Sequence, residues 1–147
     1  MTDMGSILSI VRSFDAPRER VWRAWTEPAE LIHWWWPERF QTVHEVDLRE
    51  GGRYRFHSAD LPDFGVLAFR GRFLEVNPPE RLVYTWQWEY DPESETRVSV
   101  EFLDRDRQTE LRVLHAGLAS PEERDNHVLG WNDCLDRLQT LLTPAKN

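Results

Sequence analysis

Apolar positions along the chain alternate between a period of two and a period near four, and the switches divide it into elements. Ile7–Phe14 is rich in strand-forming residues and comes first. Asp15-Ala16-Pro17 then combines a polar cap with a proline where a helix begins, and Val21, Trp22 and Trp25 give residues 18–26 a single apolar face. Pro28 opens a second short helix, predicted over residues 29–34, with Pro37 downstream to stop it. From there the period is two. Val43–Leu48 and Arg53–Ser58 flank Glu50-Gly51-Gly52, a hairpin turn in which glycine supplies positive φ without a steric penalty. Tyr54 and Phe56 share one face of the second strand and Arg53, Arg55 and His57 the other. Val66–Val76 carries Leu67, Phe69, Gly71 and Phe73 on one face and then changes phase, which predicts a bulge near Phe73. After the turn Asn77-Pro78-Pro79-Glu80, the alternation resumes at Leu82, Tyr84, Trp86 and Trp88, at Val98, Val100 and Phe102, and at Leu111 and Val113.

The last element is the most strongly specified. Ser120-Pro121-Glu122-Glu123 places an N-cap serine, a proline at the first helical position and a glutamate at the third. Val128, Trp131, Leu135, Leu138 and Leu142 then hold helical spacing, and Pro144 ends the run. One strand, two short helices, six strands and a long helix describe an α+β protein. The arrangement expected is a curved antiparallel sheet of about seven strands around the C-terminal helix, with room for a cavity between them. No repeat or linker divides residues 1–147, so one domain is expected.

Composition changes this picture by exclusion. The 147 residues contain 8 Trp, 7 Phe and 3 Tyr, and among the 18 basic residues Lys146 is the only lysine. With that lysine next to the C-terminus, Schiff-base chemistry and a Walker-type phosphate loop lack their essential group. A net charge of −8 repels phosphate backbones and argues against nucleic acid and anionic membranes as partners. A single cysteine, Cys134, allows neither an internal disulfide nor a cysteine-based zinc site. The first residues lack the plan of a signal peptide and no apolar run is long enough to span a bilayer, so a soluble cytoplasmic protein is expected.

The order of several short motifs is similar to a known family. Ala16-Pro17 with Val21-Trp22 and Ala24, Leu31 with Trp34-Trp35, and Asp47-Leu48-Arg49-Glu50-Gly51-Gly52-Arg53 come first. Pro78-Pro79-Glu80-Arg81-Leu82, Thr85-Trp86, Thr109-Glu110-Leu111, and His127 with Gly130-Trp131 follow. Together they resemble the activator of heat-shock-protein-90 ATPase homologue-like family, within the START/polyketide-cyclase (SRPBCC) superfamily. The resemblance spans nearly the whole chain and implies a helix-grip, START-like fold. It does not imply one reaction, because this fold hosts carriers, cyclases and chaperone regulators alike. Relatives often read Trp-Trp-Gly-Pro where this chain has Trp34-Trp35-Trp36-Pro37, so a large side chain is expected at the rim of the cavity. The co-chaperone resembled carries an additional N-terminal domain for which these 147 residues have no room.

The aromatic residues are the first candidates for function. Trp35, Trp36, Phe56, Phe69, Trp86, Trp88, Phe102 and Trp131 either form ordinary core or line a pocket for a flat apolar ligand. Tryptophan is large and carries an N–H that needs a partner, so the set favours a cavity. His127 and Trp131, four apart on the last helix, share a face, and Gly130 between them permits close approach of a strand or ligand. His127 is either a structural histidine bonded to a backbone carbonyl or a ligand contact able to act as acid or base. His33, His44, His57 and His115 show no paired-ligand spacing, and no metal or cofactor is implied. Arg53, Arg55, Arg70 and Arg72 read as solvated outer face, and Cys134 as a small buried hydrophobe.

Three function classes are carried forward. The preferred one is binding of a small hydrophobic or aromatic molecule without turnover. The second is a cyclase-like enzyme using His127 as acid/base, with Tyr54 or Tyr84 as the nearest hydroxyl. The third is a protein-interaction module, either a chaperone regulator or a homodimer formed through an exposed aromatic patch.

Overall fold

A computed structural model describes residues 6–143. Residues 1–5, and Pro144 and Lys146 of the sequence analysis, lie outside the described residues. Strand β1 (Ser6–Phe14) is followed by helix α1 (Arg18–Thr26) and one helical turn, α2 (Pro28–Leu31). Then come β2 (Val43–Val46), β3 (Arg53–His57), β4 (Ala68–Asn77), β5 (Arg81–Trp88), β6 (Thr96–Asp104) and β7 (Thr109–Leu118). Helix α3 (Pro121–Leu142) closes the fold.

The seven strands form one antiparallel sheet in the order β1-β7-β6-β5-β4-β3-β2. Sequential hairpins build everything except the first strand, which returns to pair with the last. The register of β4 against β5 shifts between Phe73 and Glu75, where the apolar phase changes. In the β2–β3 turn Gly51 adopts φ +83°. Any Cβ on Gly52 would lie 2.1 Å from the Asp47 carbonyl, so both glycines are required.

One predicted element needs correction, and one element was not predicted. The second helix stops at Leu31 rather than reaching Trp34, and residues 32–36 continue as turns. Leaving the helix lets the adjacent Trp34 and Trp35 both turn inward, and both are buried. Tertiary burial overrides helical periodicity there. A 3-10 turn over Glu38–Phe40, which the sequence pattern does not mark, leads into β2.

The inward residues of the sheet (Leu8, Ile10, Phe69, Leu82, Tyr84, Trp86, Val98, Val100, Phe102, Leu111, Val113) make one core with Trp22, Trp25, Trp34, Trp131, Leu135 and Leu138. Helix α3 is fastened at both sides. The Arg12 guanidinium of β1 donates to Asp136 and Gln139, and Arg137 donates to the Trp34 carbonyl. Its start is capped as the sequence predicts, with the Ser120 hydroxyl accepting from the Glu123 amide at 3.1 Å. Among the described residues no helix is long and apolar enough to cross a membrane.

Candidate functional site

Between the sheet and the N-terminal half of α3 lies an open cavity of about 290 Å³. Its wall comes from three places. The turn after α2 supplies Trp35 and Trp36; β4, β5 and the segment after β5 supply Phe69, Trp86, Trp88 and Tyr90; and α3 supplies Glu123, Asn126, His127, Gly130, Trp131 and Cys134. The depth is aromatic: Trp35, Phe69, Trp86 and Trp131 are buried. Around the opening the wall grades outward through half-buried Trp36, Trp88 and His127 to Tyr90, which is 72% exposed.

In the floor Trp35 lies edge to face with Trp131 at 5.3 Å and Trp86 with Trp88 at 4.6 Å, while Phe69 and Trp86 lie 4.5 Å apart with their planes tilted by 33°. At the opening the rings are parallel instead. Trp36 and Trp88 lie 6.2 Å apart at an angle of 7°, and Trp88 lies 5.5 Å from Tyr90 at 25°. Such offset faces are the geometry that flat ligands extend.

A buried polar chain runs behind the floor. The Trp131 indole N–H donates to His115 Nδ1 at 3.1 Å. An indole can only donate, so Nδ1 carries no proton and the neutral His115 holds its proton on Nε2. Nε2–H then donates to the Thr96 hydroxyl at 2.7 Å, and that hydroxyl donates to the Trp86 carbonyl at 3.0 Å. Burial, and secondarily the nearby His127, pushes the His115 pKa down to about 3. The chain therefore fixes two cavity walls, Trp86 on the sheet and Trp131 on the helix, relative to each other.

His127 stands over this chain, with its ring 5.0 Å from those of Trp86 and His115. Burial lowers its pKa from the ordinary value, while Glu123, one turn earlier, acts in the opposite sense. Among the described residues it makes no side-chain hydrogen bond, so the sequence alternative of a histidine tied to a backbone carbonyl is not what the structure shows. The Glu123 carboxylate accepts from the Ala119 amide at 2.8 Å, which completes the helix cap and holds a negative charge at the cavity edge. Cys134 is buried and accepts from the Trp36 amide and Arg137, both at 3.5 Å; burial pushes its thiol pKa up to about 11.

Of the nine residues predicted to line a site, Trp35, Trp36, Phe69, Trp86, Trp88, His127 and Trp131 meet at this cavity. Phe56 and Phe102 do not. Phe102 is wholly buried under α1 against Trp22 and Trp25, at 5.2 and 6.0 Å. Phe56 packs on Trp35 and His44 and borders a second space of only about 20 Å³. Both residues have the inward phase of their strands, but strand phase does not say which end of the sheet a helix leaves uncovered. Tyr54 and Tyr84 also line the small space and not the cavity, and the Tyr54 hydroxyl is already given to the Thr85 carbonyl.

Gly130 was expected to permit close approach of a strand or ligand; no strand approaches it, since a Cβ there would meet nothing within 4 Å, and the glycine faces open space in the cavity wall. Sequence reasoning missed His115, although its phase with Leu111 and Val113 points it inward. It also missed Tyr90, Glu123 and Asn126, which have no apolar periodicity to reveal them. Among the described residues, no group of three or more His, Cys, Asp or Glu is placed to hold a metal ion.

Comparison with known proteins agrees with this architecture. Residues 15–143 match the family model described as Activator of Hsp90 ATPase homolog 1-like protein. Among solved structures, protein CV1439 from Chromobacterium violaceum is 29% identical, with a TM-score of 0.82 over 95% of this chain and 98% of that one. CalU16 from Micromonospora echinospora is 28% identical, with a TM-score of 0.71 over 94% of this chain and 76% of that one. PFC0360w, an HSP90 activator from Plasmodium falciparum, shares the fold at 22% identity, with a TM-score of 0.73 over 94% and 96% of the two chains. Among curated proteins none matches the sequence.

Proposed function

The chain belongs to the Activator of Hsp90 ATPase homolog 1-like family, and from that premise we propose that it binds a small, flat, neutral hydrophobic molecule between sheet and helix. The observation that carries this reading is the open aromatic cavity of about 290 Å³, near the lower end of the range for ligand pockets. Four buried aromatic rings supply apolar contact area, and offset ring pairs are worth about 0.5–1.5 kcal/mol beyond their burial. His127 and Asn126 supply hydrogen bonds at one side, which orient a ligand carrying a hydroxyl or carbonyl.

Charge narrows the class. Among the described lining residues Glu123 is the one charged group, so a carboxylate or sulfonate ligand would meet repulsion with no cation to offset it. The test is a titration of tryptophan emission with 2-naphthol and 2-naphthoate. Saturable quenching by the naphthol, at least about tenfold tighter than by the anion, is expected. Absence of saturation by either, together with a crystal structure in which side chains fill the cavity, overturns the reading.

A second reading, in which His127 acts as acid or base on the bound molecule, is favoured by its half-buried imidazole lacking a side-chain hydrogen bond among the described residues. It predicts turnover that His127→Gln abolishes while ligand affinity changes little. Regulation of a chaperone remains a third reading. It is supported by the family description alone and tested by ATPase stimulation of heat-shock protein 90.

A further inference from the structure

Trp36 breaks two local backbone rules at once. Its φ is +65°, in the left-handed region that strains a bulky residue and that glycine enters freely. It also precedes Pro37, a position that favours extended backbone with φ near about −120°. A strained residue persists only where its surroundings over-determine it, and here they do. The Trp36 indole lies against Phe40, Phe69 and Trp88 at 6.0, 5.7 and 6.2 Å, and its amide N–H donates to Cys134 of α3.

What the chain gains is an indole face in the cavity wall. The half-buried Trp36 ring stands at the opening, parallel to Trp88. The Trp36 ring contacts both Trp88 and Phe40, so without it the cavity would extend toward Phe40, over whose ring the Arg39 guanidinium lies at 5.3 Å. We propose that Trp36 sets the size limit of the ligands, admitting flat neutral molecules of one or two fused rings and excluding larger ones. This rests on the binding function proposed above and names the residue that decides its specificity.

Equilibrium dialysis of the full chain against 2-naphthol and 1-hydroxypyrene tests it, with Trp36→Gly, Trp36→Ala and Trp36→Phe alongside the parent. The parent prefers the two-ring probe by about tenfold or more. Trp36→Gly lowers that preference by at least about tenfold by admitting the four-ring probe, whereas Trp36→Phe keeps most of it. Thermal unfolding supplies a second measurement. Glycine and alanine leave nearly the same void, but only alanine retains the left-handed penalty, so Trp36→Gly melts above Trp36→Ala.

An unchanged probe preference in Trp36→Gly, with the parent still binding 2-naphthol saturably, overturns the size limit and leaves the binding function standing. A parent that binds neither probe overturns both. Equal melting of the glycine and alanine variants overturns the strain on which the argument depends.

Discussion

Two halves of the same aromatic interior have opposite packing. Beneath α1, Trp22, Trp25, Trp34 and Phe102 are all buried and leave only the small space of about 20 Å³ beside Trp25, and the Trp34 N–H is satisfied by the Ala24 carbonyl at 2.9 Å. Beneath the first half of α3, Trp35, Trp86, Trp88 and Trp131 surround a space that no side chain fills. Residue type does not separate the two, since both are walled by tryptophan. The helix does. Helix α1 presents Val21, Trp22, Ala24 and Trp25 to the sheet, while over the cavity α3 presents Gly130, Asn126, His127 and Cys134, side chains too short or too polar to occupy the gap. Trp131 is the exception, and its indole is held against the wall by the bond to His115 rather than left to fill the void. A cavity here is therefore a property of the facing helix and of a polar chain that ties its one large ring back.

The strongest way to break this contrast is to truncate one ring on each side. Phe102→Ala should cost about 3–5 kcal/mol, because it deletes a fully buried ring and leaves a void. Trp88→Ala, at the already open cavity, should cost about 1 kcal/mol. Urea unfolding at unchanged slope measures both. Equal losses would mean that the cavity is as tightly packed as the core.

The next effect comes from His115. In the unfolded chain its imidazole protonates at about 6.5, whereas the folded group resists until about 3. Below pH 6.5 the unfolded state therefore holds more protons, and stability falls as pH falls. By pH 5 this one residue removes about 2 kcal/mol relative to pH 7.5. His115→Gln, which keeps a donor and an acceptor but cannot ionise, should shrink the pH-dependent loss by that amount. Buried His44, with its pKa lowered to about 4, leaves part of the slope in place. A loss of unchanged size in the variant would show that His115 is not held neutral.

The smallest effect has the opposite sign. Gly130→Ala adds a methyl group where nothing stands within 4 Å and replaces a poor helix former, so it should stabilise by about 0.5–1 kcal/mol. By narrowing the cavity it should also weaken 2-naphthol binding. Stabilisation with unchanged binding would place the ligand elsewhere.

The elements were legible wherever periodicity was long and punctuated. Helix α1 matches its predicted span, and the Ser120-Pro121-Glu123 cap starts α3 where the sequence places it. The bulge after Phe73 appears in the register. The site was legible in part. Of the seven candidates that meet in the cavity, Phe69, Trp86, Trp88, His127 and Trp131 lie on inward strand phases or on the helix face toward the sheet, and Trp35 and Trp36 come from the turn after α2; Phe56 and Phe102 share the inward phase but face other neighbours. The role of His115 was not legible because a histidine at an apolar phase looks like any core residue until its hydrogen-bond partners, 16 and 19 positions away, are brought beside it.

By itself, then, the sequence determined the element order, the strand phases, the helix starts marked by caps and prolines, and the surplus of tryptophan. These depend on local periodicity and backbone chemistry. Only the tertiary structure decided which tryptophans pack and which enclose space, and which histidine is locked neutral. It alone put Trp36 into left-handed backbone. Those outcomes depend on contacts between residues far apart in the chain, where the sequence pattern carries no distance.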